Sequence, residues 1–370
     1  MLRAYRYRLY PNRSQIDFFE KQFGTCRFIY NWALNLKSTA YTDENRSISK
    51  NELKNMLPGL KAQYNWLKDV NSQSLQASVD NLDNAFKKFF RKEAEYPTFK
   101  SKNNPVQSFQ IPQHYVVDID KGTVKLPKLK EPVKAKFHRG FDGETRTATV
   151  SRTPTGKYFI SILVEDGREI PEKVCWGPSI GVDVGVSHFA ILSTGEKIEN
   201  PRHLKKSMAR LKTAQRLLSR KKKGSSNRKK QKLVVAKLYE KVTNQRNDFQ
   251  HKLSNRLVSE NQVIVLEDLN ISGMVRNHYL AQAISDVAWG NFIMKLKYKA
   301  EWCGKTIQQI GRFVPSSKLC NVCGYKNTDL TLNDRSWECP SCHTQHDRDV
   351  NAAINILNIA RNNIAAGTAV

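Results

Sequence analysis

The sequence predicts a multidomain α+β protein, and three observations support that prediction. The chain has 370 residues, which at about 150 residues per domain corresponds to two or three domains. Between residues 104 and 170, short alternating apolar and polar runs separated by turn residues are typical of a small β-barrel or sandwich. After residue 178, strand patterns alternate with helical patterns, which indicates an α/β sheet domain.

The N-terminal part of the chain combines one strand with a helical stretch. Residues 3–10 alternate between two faces, which predicts a strand. Helical spacing follows over residues 15–57 with a break near residues 42–46, and Pro58-Gly59 is expected to end that stretch. Another helix is expected from about Ser72. We expect the first strand to complete the β-barrel, so that the helices between are an insertion.

The α/β region follows a linker at residues 171–178. Its expected strands and helices alternate in chain order. The expected strands are residues 180–186, 189–192, 263–266 and 306–310, and the expected helices are residues 202–260, 281–303 and 349–362. A cysteine-rich hairpin precedes the last of these helices.

The net charge predicts a polyanionic partner. The chain carries 61 Lys and Arg against 34 Asp and Glu, a formal charge of +27. Residues 202–256 hold 19 basic and 2 acidic residues, well over half of the excess. A solvated helix face is the alternative explanation. The densest part, residues 220–232, is expected to be a flexible loop, and its candidate nucleic-acid contacts are Arg220, Lys221, Lys222, Lys223, Arg228, Lys229 and Lys230.

Membrane and export signals are not found in the sequence. No apolar run reaches the roughly 18 residues of a spanning helix, and residues 1–12 lack the apolar core of a signal peptide. We therefore expect no membrane partner and a cytoplasmic, nucleoid-associated location.

Four of the seven cysteines have the spacing of a zinc site. Cys320, Cys323, Cys339 and Cys342 form two Cys-x2-Cys pairs separated by 15 residues, a pattern typical of tetrahedral thiolate coordination. Four thiolates complete the ligand shell, which predicts a structural role for the metal. His343 and His346 are possible substitute ligands. The isolated cysteines, Cys26, Cys175 and Cys303, are expected to be small buried residues.

Three carboxylates occupy positions that favour a ligand. Asp183 lies between Gly181 and Gly185 in a predicted strand, where the glycines leave room for close approach. Glu267 ends an apolar strand, at the edge where open α/β sheets bind ligands. Asp349 opens the last helix.

Two of these acids also have a simpler explanation, and Asp183 is the hardest to explain in that way. Asp349 is a candidate N-cap, with Asp347 as its rival for the functional position. Glu267, like its neighbour Asp268, is a candidate surface residue at a strand end. Together, however, the acids match a two-metal nuclease site, in which two Mg²⁺ ions about 4 Å apart activate water and stabilise the leaving oxygen.

Two further groups of residues suggest contacts with nucleic acid. Arg6 and Arg8 alternate with tyrosines in the first strand, a pattern suited to phosphate pairing and base stacking. Gln73 and Gln76 lie three residues apart on one helix face, and amides of this kind read adenine edges. A solvated polar face explains the glutamines equally well.

Ordered motifs along nearly the whole chain resemble the TnpB family of bacterial insertion sequences, which is related to the type V CRISPR effectors. The motifs are RAYRYRLYPN, GVDVG, NDFQHKLS, LEDLN, SD-x2-WG-x-F, YKAEW, PSSK-x-C and DRD-x-NAA. One departure is Gly311-Arg312, where relatives often have Asp before the arginine.

The resemblance implies a transposon-encoded, RNA-guided DNA endonuclease that requires two Mg²⁺ ions and a structural Zn²⁺. The catalytic acids would be Asp183, Glu267 and Asp349, rather than Asp347. The expected partners are a transposon-derived guide RNA, target double-stranded DNA and the RNA–DNA heteroduplex, bound by a monomer. The chain would read a short motif beside the target, and guide pairing would read the rest.

The resemblance also implies a domain organisation. A RuvC-like nuclease domain of RNase H fold would contain the zinc finger, and a wedge β-barrel would be interrupted by a helical recognition domain. The expected boundaries are 1–11 and 104–170 for the wedge β-barrel, 12–103 for the recognition domain, 177–314 and 347–370 for the nuclease and 315–346 for the zinc finger.

Three other functions remain compatible with parts of the sequence. A transposase that performs strand transfer would use the same acids. An RNA-guided DNA-binding repressor without cleavage would be expected to lack one of them. A generic RNA-binding protein would explain the charge and the zinc site but not the three carboxylates.

Overall fold

A computed structural model describes residues 1–174, 177–312, 314–331 and 334–365. The chain divides into two compact units, residues 1–168 and 169–370. The strands are β1 Leu2–Tyr10, β2 Gln107–Ile111, β3 Val116–Asp118, β4 Thr123–Lys125, β5 Val133–Lys136, β6 Glu144–Arg152, β7 Tyr158–Glu165, β8 Ser179–Asp183, β9 His188–Leu192, β10 Lys197–Glu199, β11 Val263–Glu267, β12 Thr306–Ile310, β13 Ser336–Glu338 and β14 Gln345–Asp347. The helices are α1 Arg13–Glu44, α2 Lys50–Gln63, α3 Ser72–Phe90, α4 His203–Ser219, α5 Ser226–Glu260, α6 Ile271–Val275, α7 His278–Val287, α8 Trp289–Trp302 and α9 Arg348–Ala365.

The first unit is built on a seven-stranded sheet in the order β2-β6-β7-β1-β5-β4-β3. Strand β1 pairs antiparallel with β7 and β5, which confirms that the N-terminal strand joins the later ones. Tyr7 and Leu9 on its inner face are fully buried, whereas Arg6 and Tyr10 on the other face are exposed. In the described residues β2 and β3 each pair on one side only, so the hydrogen bonding leaves the predicted barrel open.

The helices α1, α2 and α3 lie between β1 and β2 in the chain, as the predicted insertion requires. Asn12 and Gln15 form a capping box at the start of α1. The predicted helix end at Pro58-Gly59 is wrong, because α2 continues through Pro58 to Gln63. Leu57 and Leu60 on either side of the proline are both buried, and this packing outweighs the backbone hydrogen bond that proline removes.

The second unit contains a five-stranded sheet in the order β10-β9-β8-β11-β12. Strand β11 lies at its centre and pairs in parallel with β8 and β12. All four residues of the run 263–266 are buried, which is typical of a parallel strand covered on both faces. Ile264 and Leu266 pack with side chains of α5 and α8, whereas Val263 and Val265 pack with α9.

Several predicted boundaries in the second unit are wrong. Strand β8 ends at Asp183 rather than continuing to residue 186. The predicted helix over 281–303 is two helices, because Ala288 adopts a left-handed conformation with φ of 54°. The predicted flexible loop over 220–232 is shorter, since α5 already begins at Ser226.

The isolated cysteines differ from one another in burial. Cys26 is buried in α1, as expected. Cys303 is exposed, contrary to expectation, because it caps the end of α8 at the surface. Cys175 lies outside the described residues.

Candidate active site and metal centre

Asp183 is the last residue of β8, where that strand lies directly against α9. A Cβ atom on Gly181 would come within 2.1 Å of the carbonyl oxygen of Ala353 in α9. Only glycine therefore permits this approach of strand and helix. The close packing brings the end of β8 to the N-terminal turns of α9, so that Asp183 and Asp349 line the same cavity.

Glu267 is the last residue of β11 and is half-buried, as expected for the carboxyl edge of the sheet. Its Oε1 accepts a 2.6 Å hydrogen bond from the hydroxyl of Ser316. The neighbouring Asp268 is directed elsewhere and forms a 2.7 Å ion pair with Arg312. The structure thus separates the two acids that adjoin each other in the sequence.

The two acids at the start of α9 have different environments. Oδ1 of Asp347 accepts from the backbone amides of Asp349 and Val350, so Asp347 makes the capping contacts considered for Asp349. Asp347 also pairs with Lys197 at 2.5 Å. Asp349 instead lines the cavity, where the Arg348 guanidinium donates to its Oδ1 at 3.2 Å.

Asp183, Glu267 and Asp349, called here the carboxylate cluster, share one cavity of about 520 Å³. Burial, followed by the negative charges of Glu267 and Asp349, raises the pKa of Asp183 to about 8. Arg348 opposes that shift. The three acids therefore repel one another across a partly desolvated space, which a cation would stabilise.

The donors of the carboxylate cluster fit a hard divalent cation. Carboxylate oxygens are the ligands that Mg²⁺ prefers, and the cavity leaves room for the waters that Mg²⁺ retains. Among groups of three or more such side chains in the described part of the chain, however, only the four cysteines bring all their ligand atoms within 4.8 Å of one another. The three carboxylates are thus spread around a cavity, whereas the four thiols lie close enough together to bind a single ion.

Cys320, Cys323, Cys339 and Cys342, the cysteine cluster, come together as the spacing predicts. The sulfur atoms of Cys320 and Cys342 are 3.6 Å apart, and those of Cys323 and Cys339 are 3.5 Å apart. A tetrahedral zinc ion with Zn–S bonds of about 2.3 Å requires sulfur separations of about 3.8 Å. The cluster therefore fits Zn²⁺ as a closed, structural site.

The two candidate histidine ligands near the cysteine cluster differ. His346 is buried, and its Nε2 lies 3.1 Å from the sulfur of Cys320. His343 is exposed, and its Nδ1 lies 3.0 Å from Oε1 of Glu338. His346 thus contacts a thiol of the cluster, and His343 does not replace any of the four cysteines.

The predicted nucleic-acid residues of the first unit lie on two elements. The guanidinium of Arg6 lies 4.0 Å from the ring centre of Phe159, and that of Arg8 lies 5.2 Å from it. Gln73 in the first turn of α3 is half-buried and contacts Gln113 at 3.4 Å. Gln76, one turn later, is exposed.

The basic segment of the second unit divides between a turn and a helix. Arg220, Lys221, Lys222 and Lys223 are exposed in the connection between α4 and α5. Arg228 folds back on this connection and donates to the carbonyl oxygens of Leu218 and Lys221. Lys229 and Lys230 are exposed in the first turns of α5. A dense cationic surface therefore surrounds this helical hairpin.

Three polar side chains that contact the carboxylate cluster are not identified by the sequence patterns. They are Ser316, on Glu267, and Arg348 and Arg335, on Asp349. Ser316 and Arg348 lie in motifs that the resemblance used, PSSK and DRD-x-NAA, whereas Arg335 does not. The motifs marked the segments, but only the fold shows which side chains reach the acids.

Three family models match parts of this chain. Residues 161–278 match the family described as "Probable transposase", and residues 289–356 match the "Cas12f1-like, TNB domain". Residues 1–46 match a family described as "Helix-turn-helix domain", although this chain has one strand and one long helix there. No helix among the described residues has the length and apolar character needed to cross a membrane.

Similar proteins cover nearly the whole chain. A Streptomyces pristinaespiralis protein named "Putative RNA-guided DNA endonuclease" is 41% identical over 96% of this chain and 88% of its own. An Escherichia coli K12 protein, "Putative RNA-guided DNA endonuclease InsQ", is 31% identical over 99% and 94% of the two chains. The structure described as "Cryo-EM structure of the Cas12f1-sgRNA-target DNA complex" matches 93% of this chain and 83% of its own at a TM-score of 0.56 and 16% identity, a likeness of fold. This chain therefore belongs to the TnpB family, also called the IS605 OrfB family.

Proposed function

We propose that this protein is an RNA-guided DNA endonuclease that hydrolyses phosphodiester bonds with the carboxylate cluster. The observation that carries the proposal is the meeting of Asp183, Glu267 and Asp349 at one cavity, from three separate elements of the sheet domain. The names of the relatives support the same activity. A generic RNA-binding protein has no need of such a costly group of repelling acids.

In the proposed mechanism Asp183, Glu267 and Asp349 would hold two Mg²⁺ ions. Bound in this way, the ions would supply the activation of water and the stabilisation of the leaving oxygen. Burial and the neighbouring acids raise the pKa of Asp183 to about 8, and a bound cation would favour its ionised form. The Arg348 side chain holds Asp349 beside the cavity, where a scissile phosphate would lie.

Zinc and the basic residues have supporting roles in this proposal. The cysteine cluster would bind a structural Zn²⁺ ion. The exposed lysines and arginines around residues 220–230 would bind the backbone of the guide RNA or the RNA–DNA heteroduplex without reading sequence. Arg6, Arg8, Gln73 and Gln76 would contact nucleic acid in the first unit, with the glutamines reading the motif beside the target.

The domain organisation of the family completes the proposal. A wedge domain would comprise residues 1–11 and 104–170, and a helical recognition domain residues 12–103. A RuvC-like nuclease domain would comprise residues 177–314 and 347–370, with a zinc finger at 315–346. The protein would act as a monomer with a transposon-derived RNA.

The test uses the protein purified with RNA expressed from its own locus. The complex is incubated with Mg²⁺ and plasmids that carry the guide-matched target beside a randomised motif. We expect cleavage next to one motif, and we expect Asp183→Ala to abolish it while RNA binding is retained. Asp268→Asn is the matched control, because that acid pairs with Arg312 outside the cavity.

The same experiment separates the alternatives. Full cleavage by Asp183→Ala would remove the carboxylate cluster from the reaction. Joined rather than cut DNA ends would indicate transposase-type strand transfer. Target binding without any cleavage in the unsubstituted protein would indicate an RNA-guided repressor.

A further inference from the structure

Ser316 makes a short hydrogen bond to one acid of the carboxylate cluster. Its side chain is buried, with 5% of the residue exposed, and its hydroxyl donates to Oε1 of Glu267 at 2.6 Å. Hydrogen bonds to an ionised acceptor are shorter and stronger than those between neutral groups. The contact therefore favours one orientation of the Glu267 carboxylate.

The backbone of Ser316 is in turn fixed by α9. The side-chain amide of Asn355 donates to the carbonyl oxygens of Ser316 at 2.8 Å and Leu319 at 2.6 Å. Asn355 is itself buried. One side chain on α9 thus bridges two points of the loop that carries the serine.

A second asparagine of α9 fixes the next part of the same loop. The amide of Asn351 donates to the carbonyl oxygen of Leu319 at 2.7 Å, and its Oδ1 accepts from the backbone amide of Asn321 at 3.0 Å. Cys320 of the cysteine cluster lies between these two loop residues. The loop therefore connects the cysteine cluster to the serine that contacts Glu267, while α9 also carries Asp349.

We propose that Ser316 is a positioning residue that orients Glu267 for metal binding, and that Asn355 holds Ser316 in place. The inference rests on the proposed nuclease function, in which Glu267 is a metal ligand. In metal sites, residues that orient the ligands typically contribute 10- to 100-fold in metal affinity or activity. Through this loop, the cysteine cluster helps to fix the orientation of Glu267 as well as its own fold.

The first test compares Ser316→Ala with Ser336→Ala, an exposed serine in the same cysteine-rich segment. Cleavage by the RNA-bound protein is measured as a function of Mg²⁺ concentration. We expect Ser316→Ala to raise the half-saturating Mg²⁺ concentration by about 10-fold or more, with the rate largely recovered at high Mg²⁺. Ser316→Thr, which keeps the hydroxyl, should restore the original dependence.

A second readout does not depend on cleavage. Binding of Mn²⁺ to the RNA-bound protein, followed by electron paramagnetic resonance, should weaken in Ser316→Ala and remain unchanged in Ser336→Ala. Zinc content and Tm should stay at the values of the unsubstituted protein. A loss of zinc or a large fall in Tm would overturn the positioning role, because it would indicate structural damage.

Glu267→Gln separates failure of this inference from failure of the proposed function. If Glu267→Gln is inactive and Ser316→Ala has the Mg²⁺ dependence of Ser336→Ala, the positioning role is wrong and the nuclease proposal stands. If Glu267→Gln cleaves fully, the proposed function is wrong, and the inference fails with it.

The role of Asn355 is tested on α9 itself. Asn355→Ala removes both hydrogen bonds to the loop, whereas Asn362→Ala makes the same change at an exposed position of the same helix. We expect the first variant to raise the half-saturating Mg²⁺ concentration in the same direction as Ser316→Ala, and the second to leave it unchanged. Equal behaviour of the two asparagine variants would overturn the proposed support by α9.

Discussion

The cysteine cluster and the carboxylate cluster of the second unit are assembled in opposite ways. The four cysteines lie within residues 320–342, on two tight knuckles, and their ligand atoms come within 4.8 Å of one another. The three acids come from positions 183, 267 and 349, at the ends of two strands and the start of a helix. One cluster depends on local spacing and the other on the whole sheet domain.

The difference in assembly matches a difference in chemistry. Four converging thiolates leave a bound zinc ion with no open position, so that site can only support the fold. The carboxylates line a cavity of about 520 Å³, where burial and the neighbouring acids together raise the pKa of Asp183. Ionising this acid is therefore costly unless a cation enters. Four converging thiols therefore suit a structural metal, whereas the cavity beside the carboxylate cluster leaves room for a ligand.

The largest expected effect is on zinc binding by the cysteine cluster. Structural zinc contributes about 10–16 kcal/mol of apparent binding free energy in zinc-finger peptides. We expect Cys339→Ala, at a fully buried cysteine, to abolish zinc binding, as measured by metal analysis of the purified protein. Hydrogen exchange should show loss of protection over residues 316–347. Retained zinc would show that three cysteines, with or without His346, hold the metal.

The next-largest expected effect concerns the contact between β8 and α9, which brings the carboxylate cluster together. Gly181→Ala would place a methyl group 2.1 Å from the carbonyl oxygen of Ala353, so β8 and α9 must move apart. We expect a loss of about 3 kcal/mol in the free energy of unfolding and a large loss of cleavage, with zinc content unchanged. Gly290→Ala is the control, because its Cβ would meet only an ordinary contact at 3.6 Å. Equal stability of the two variants would contradict the role assigned to this packing.

A smaller expected effect is the pH dependence of stability that the carboxylate cluster causes. The pKa of Asp183 is raised to about 8 in the metal-free folded protein, above the value of 3.8 for an unperturbed aspartate. The folded state therefore binds more protons than the unfolded state between these values. The stability that Asp183 contributes should be fully present below pH 4 and should be lost as the pH rises through 8.

This pH dependence is measured by denaturant unfolding of metal-free protein between pH 5 and pH 9. Asp183→Asn should flatten the profile over that range, and added Mg²⁺ should do the same for the unsubstituted protein. An unchanged slope in Asp183→Asn would show that other groups dominate the dependence. Asp268→Asn, at an acid that pairs with Arg312 outside the carboxylate cluster, should leave the profile unchanged.

The smallest expected effect is on RNA binding by exposed lysines outside both clusters. Replacing Lys221, Lys222 and Lys223 together by alanine should weaken RNA binding and leave zinc content and Tm unchanged, because all three are exposed. If each contacts one phosphate, the slope of log affinity against log salt should fall by about 2 to 3. Titrations at several salt concentrations measure that slope, and an unchanged slope would place the nucleic acid elsewhere.

Local patterns in the sequence determined much of this protein. The cysteine spacing predicted that the four cysteines meet, because they lie on short knuckles. The apolar run before Glu267 predicted a buried strand, because burial on both faces leaves no polar alternation. The alternation in residues 3–10 likewise predicted strand β1. Each of these features depends on neighbours along the chain.

Tertiary structure decided what depends on distant residues. Packing of Leu57 and Leu60 carried α2 through Pro58, and the approach of α9 to Gly181 brought Asp183 and Asp349 to one cavity. The same helix determined that Asp347 caps while Asp349 faces the cavity, and that Ser316 reaches Glu267. No local pattern contains these contacts, because their energy comes from groups that meet only once the sheet and helices have packed.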